Sequence, residues 1–60
     1  MEIKITNRDE LNAAATRLRA HSVQMCNDIT LEDMNNNFII AKDLLIAIYK
    51  YNVERLNKND

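Results

Sequence analysis

The chain has 60 residues, of which 47% are hydrophobic and 28% charged, with a formal net charge of −1. It contains no glycine, no proline, one cysteine and one histidine. This length permits one small domain, and Cys26 and His21 alone form neither a disulfide framework nor a structural zinc site. Without glycine there is no glycine-rich nucleotide-binding loop. We therefore expect a protein that is not an enzyme and uses no metal, cofactor or small-molecule substrate.

The N-terminal segment, residues 1–6, alternates apolar and polar side chains, which is the period of a short strand. A single strand has no sheet to join within its own chain, so the alternative is an N-terminal arm. The segment also lacks the basic flank and the apolar run of a secretory signal. We therefore expect a cytoplasmic protein.

A first helix is predicted over residues 7–28. Thr6 and Asn7 provide overlapping cap signals, and Asp9 and Glu10 suit the positive end of the helix dipole. Apolar or small side chains recur at spacings of three and four residues and predict the buried face of this helix, which consists of Leu11, Ala15, Leu18, Ser22, Met25 and Ile29.

Two side chains of this helix could carry chemistry. His21 lies beside the predicted stripe, one turn after Arg17, and we expect it to be solvated. Cys26 adjoins Met25, and we expect it to behave as a small, partly buried hydrophobic residue.

A turn and a second helix follow. Asn27 can take the left-handed conformation that ends many helices, and Thr30 begins the capping box Thr-Leu-Glu-Asp. Ile29 and Met34 have the spacing of a hydrophobic staple across this cap. Two long helices joined by about three residues run antiparallel. The sequence therefore predicts an all-α helical hairpin, with helix 2 over residues 31–57 and a frayed tail at 58–60.

One alternative concerns the three consecutive asparagines, Asn35–Asn37. Asparagine is a poor residue for a helix interior and a good one for caps and turns. In this alternative a short turn over residues 31–34 precedes a helix that begins near Asn37.

Helix 2 is apolar on more than one face. Its main stripe runs from Leu31 through Met34 to Ile48, and two further apolar rows lie beside it. One neighbouring helix covers only one row, so the others must meet another chain. We expect the partners to be a second copy of the chain, in a dimeric four-helix bundle, and another protein. The predicted oligomer interface consists of Leu18, Met25, Phe38, Ile39, Leu45, Ile46, Ile48 and Tyr49.

The most apolar stretch, residues 38–49, is shorter than the about 20 residues that a membrane-spanning helix needs, so no membrane partner is expected. Very small, glycine-free, asparagine-rich helical chains are typical of accessory regulators from phages or mobile elements. The predicted function is therefore regulation by protein–protein contact.

An alternative function follows from the order strand, helix, helix and the helix opening Asp9-Glu10-Leu11, which resembles the ribbon-helix-helix family of dimeric DNA-binding repressors. The resemblance implies that Glu2, Lys4 and Thr6 read bases from a paired ribbon and that Arg8 lies near a phosphate. The balanced charge does not favour nucleic acid as the partner.

Overall fold

Helix-forming residues without glycine or proline give long, uninterrupted helices. The computed structural model describes residues 3–58, which form the helices α1 (Arg8–Asn27) and α2 (Leu31–Lys58), packed against each other as a hairpin. The predicted all-α hairpin is confirmed. No strand occurs between residues 3 and 58: residues 3–6 form an arm without regular structure, and the rest of the predicted strand lies outside the described residues.

The start of α1 is fixed by side-chain hydrogen bonds. The backbone N–H of Glu10 donates to the side-chain oxygen of Asn7 at 2.8 Å, which confirms Asn7 as the cap. The backbone N–H and the hydroxyl of Thr6 both donate to the carboxylate of Glu10, at 2.8 and 2.6 Å. These hydrogen bonds, chiefly the one from the Thr6 hydroxyl, hold the pKa of Glu10 below its ordinary value of 4.5.

The turn between the helices differs from the prediction. No described residue has a positive φ, so Asn27 does not take the left-handed conformation. Instead the Asn27 amide donates to the Val23 carbonyl at 3.1 Å, and Asp28 is extended, with φ −66° and ψ 139°. This extended residue turns the chain so that Ile29 is 97% exposed, and the predicted staple between Ile29 and Met34 is wrong.

The start of α2 agrees with the predicted cap. The hydroxyl of Thr30 accepts a hydrogen bond from the backbone N–H of Asp33 at 3.1 Å, and the Thr30 carbonyl accepts one from Met34. The helix then continues through all three asparagines, so the broken-helix alternative is wrong. Tertiary hydrogen bonds of Asn37 help to offset the low helix propensity of this segment.

The helices meet along a narrow core. Leu44 is fully buried. On α1 the core uses Ala14 where the sequence analysis predicted Ala15, which is exposed. On α2 the row that faces α1 lies beside the predicted main stripe. The buried residues of the described chain are Leu11, Ala14, Ala41, Leu44 and Ala47.

Candidate protein-interaction surface

The outer surface of α2 carries a line of large apolar side chains that the hairpin does not cover. We call this line the outer strip. Its members have between 53% and 68% of their side chains exposed, although they share a helix with the fully buried Leu44. The outer strip consists of Phe38, Leu45, Tyr49 and Leu56.

A second exposed apolar line runs along α2 beyond the outer strip. Ile39, Ile46 and Val53 follow one another every seven residues and are exposed by 50%, 45% and 37%. Lys42 and Lys50 lie beside this line and are themselves exposed. Apolar surface therefore continues around more than one side of α2, which is unusual for the free surface of a soluble monomer.

The N-terminal arm occupies one side of the hairpin. Its apolar residues Ile3 and Ile5 are half-buried, while Lys4 and Thr6 are exposed. The arm and α2 together line a cleft of about 690 Å³. The helix residues that line clefts with the arm are Glu10, Ala13, Ala14, Arg17, Asp43, Ile46, Ala47, Lys50, Tyr51 and Glu54. None of them belongs to the outer strip, so the outer strip lies on the side of the hairpin away from the arm.

The structure divides the predicted oligomer interface into two groups. Leu18, Met25 and Ile48 are half-buried and lie on the faces that the two helices turn toward each other. The other group is exposed, although its member Ile46 also lines the cleft with the arm, and it consists of Phe38, Ile39, Leu45, Ile46 and Tyr49.

A polar network closes the turn end of the hairpin. Nδ1 of His21 lies 2.8 Å from Oδ1 of Asn37, and the amide nitrogen of Asn37 donates to the Asp28 carboxylate at 2.8 Å. Because a carbonyl oxygen only accepts, Nδ1 of His21 must carry the hydrogen in this contact. The network therefore joins the end of α1 to the first turns of α2.

The structure corrects three predictions for α1. His21 is half-buried on the face that meets α2, not solvated beside it, because α1 is rotated from the predicted stripe by about one residue. Ser22, which the stripe included, is exposed and donates to the Leu18 carbonyl at 2.8 Å. Cys26 is exposed, not partly buried. The sequence did contain a signal for Asn37, since it precedes Ile40 and Leu44 at helical spacing.

The residues singled out for DNA contact lie at the arm and the start of α1. Lys4 and Arg8 are exposed. The Thr6 hydroxyl donates to the Glu10 carboxylate, so a negative charge lies beside the position that would approach a base.

Comparison with protein-family models, with curated proteins and with solved structures gives no match. Neither helix between residues 3 and 58 has the length and apolar character needed to cross a membrane. The same residues contain no group of three or more His, Cys, Asp or Glu side chains placed to hold a metal ion.

Proposed function

We propose that this chain is a non-catalytic, cytoplasmic helical protein of the accessory, phage-like type that regulates by protein–protein contact, as a homodimer in which two hairpins form a four-helix bundle. The observation that carries the proposal is the outer strip. Phe38 and Leu45 are more than half exposed in the isolated hairpin, and exposed large apolar side chains in a continuous line mark interaction surfaces.

The accessible surface of the hairpin supports self-association. The chain exposes 4833 Å², whereas a compact monomer of 7.0 kDa exposes about 4,000 Å². The excess of about 800 Å² equals what one partner contributes to an interface of standard size. A chain of this length buries only a small core by itself. A second copy that covers the outer strip would enlarge that core.

The proposal is tested by replacing Leu45 with aspartate. Leu45 is 56% exposed in the hairpin, so Leu45→Asp acts mainly on the dimer, where it buries an unpaired charge. We expect self-association to weaken on the order of a hundredfold, equivalent to about 2.8 kcal/mol. Light scattering across a wide concentration range measures the mass, which for the wild type should be about 14 kDa, twice the chain's 7.0 kDa.

The matched control is Gln24→Asp, which introduces the same residue at an exposed position of α1 and should leave the mass unchanged. A wild-type chain that is helical and monomeric at every concentration would overturn the homodimer. Strong, salt-sensitive binding of duplex DNA that Lys4→Ala abolishes would instead support the repressor alternative.

A further inference from the structure

The spacing of the outer strip is the same when it is read in either direction. Phe38, Leu45, Tyr49 and Leu56 are separated by seven, four and seven residues, so the strip is symmetric about residue 47. In a two-fold interface, residue i of one copy meets residue j of the other, and j meets i. Antiparallel helices satisfy this rule along their whole length when the positions of their contact residues are symmetric about one point.

We propose that α2 packs antiparallel against α2 of a second copy, with the two-fold axis level with residue 47. Phe38 then faces the partner's Leu56, and Leu45 faces the partner's Tyr49. This arrangement rests on the proposed homodimer and specifies its contact face and direction. Each layer contains one aromatic and one leucine side chain, which alternates larger and smaller volumes across the interface.

The charges at the ends of α2 favour the same direction. Its first turn carries Glu32 and Asp33, and its last turn carries Arg55 and Lys58. Antiparallel pairing brings the basic end of each α2 close to the acidic start of the other. Parallel pairing would bring like charges and like ends of the helix dipoles together at both ends.

The two sides of the hairpin are also unequal. On the side of the arm, Ile3 and Ile5 already cover part of the groove between the helices. On the side away from the arm no segment of the described chain covers the outer strip. Exposed Ala15 and Ser22 of α1 have small side chains, which allow the helices of a second copy to approach closely.

Disulfide crosslinking tests the direction of pairing. In a Cys26→Ser background, Phe38→Cys and Leu56→Cys are made as two separate variants, mixed under reducing conditions and then oxidised. We expect the mixture to form a crosslinked dimer of Phe38→Cys with Leu56→Cys, and neither variant to crosslink when alone. A disulfide requires Cα atoms within about 7 Å, whereas equivalent positions 38 would lie about 27 Å apart along an antiparallel pair.

A second measurement needs no substitution. Pyrene attached to the exposed Cys26 gives excimer fluorescence only when two labels touch. Cys26 lies near the turn end of the hairpin, so antiparallel pairing separates the two labels and we expect no excimer. Light scattering on the labelled protein and on the reduced variants establishes the mass in each case.

The outcomes are distinct. A dimeric mass with the mixed crosslink and no excimer supports the antiparallel pair. A dimeric mass with an excimer, or with Phe38→Cys crosslinking to itself, overturns the direction but leaves the homodimer intact. A monomeric wild-type mass overturns both this inference and the proposed homodimer.

Discussion

At the residue scale, Asn37 is the polar residue on which the hairpin's turn end depends. It lies between His21 and Asp28 and satisfies one hydrogen-bonding atom of each. An apolar residue at position 37 would pack between the helices equally well. It would not, however, favour one register of α1 against α2 over the others. Polar residues on a helix seam fix the register of pairing because a shifted arrangement leaves them without partners.

Replacing this residue should therefore destabilise the hairpin. Asn37→Ala leaves His21 and Asp28 without their partner, and we expect the free energy of unfolding to fall by about 1–2 kcal/mol. Urea denaturation followed by circular dichroism at fixed protein concentration measures the change. Asn12→Ala, at an exposed position of α1, is the matched control and should not destabilise. Equal stability of the two variants would show that the network contributes nothing.

The contact between Thr6 and Glu10 gives the start of α1 a dependence on pH. The pKa of Glu10 is lower in the folded chain than its ordinary value of 4.5. The ionised carboxylate therefore stabilises the folded chain fully when the pH is above 4.5. This stabilisation is lost as the pH falls through the lower pKa of the folded chain. Wild type should thus exceed Glu10→Gln in stability at neutral pH, and the difference should shrink below pH 4.5. Thermal unfolding of both proteins from neutral to acidic pH tests this, and a difference that does not vary with pH would contradict it.

At the scale of the elements, helix limits and caps could be predicted from the sequence but helix rotation could not. The caps at Asn7 and Thr30 are local, because each side chain bonds a backbone N–H three residues away. The buried face of α1 is not local. The predicted and the observed stripes share Leu11, Leu18 and Met25, and at the other positions the observed stripe lies one residue earlier. The run of three alanines is compatible with both stripes.

For α2 too, the sequence does not determine which face is buried, and this affects the prediction of the candidate surface. Three apolar rows offered three possible contacts with α1, and periodicity does not rank them. The exposed part of the predicted interface, including Phe38 and Leu45, could be identified because any choice of row leaves other apolar rows uncovered. The helical spacing of Asn37 with Ile40 and Leu44 placed it near the core, but its hydrogen bonds could not be predicted, since they join residues 16 and nine positions apart.

The three consecutive asparagines of α2 have low helix propensity, and only tertiary contacts can offset it. Asn35 and Asn36 are exposed, unlike the half-buried Asn37. Changing both exposed residues to alanine should raise the free energy of unfolding by about 0.5 kcal/mol per residue, because alanine has the higher helix propensity. Denaturation with urea checks this expectation. A loss of stability would indicate that these two amides make contacts in a larger assembly.

At the scale of the whole molecule, the narrow core links stability to association. Between residues 3 and 58, three of the five buried residues are alanines, so the hairpin buries little apolar surface by itself. A partner that binds the folded chain shifts the folding equilibrium toward it by mass action. In the proposed dimer the measured unfolding midpoint would therefore rise with protein concentration.

The exposed turn has a further consequence for an elongated molecule. The hairpin is a rod measuring 45 × 16 × 16 Å, and Ile29 protrudes from one end of it. Pairing about residue 47 would place the two copies of Ile29 at opposite ends, about 50 Å apart at the helical rise per residue. A dimer of this kind would keep its two turn ends at a set separation, so that groups attached to both tips could reach two sites only where those sites have a matching spacing.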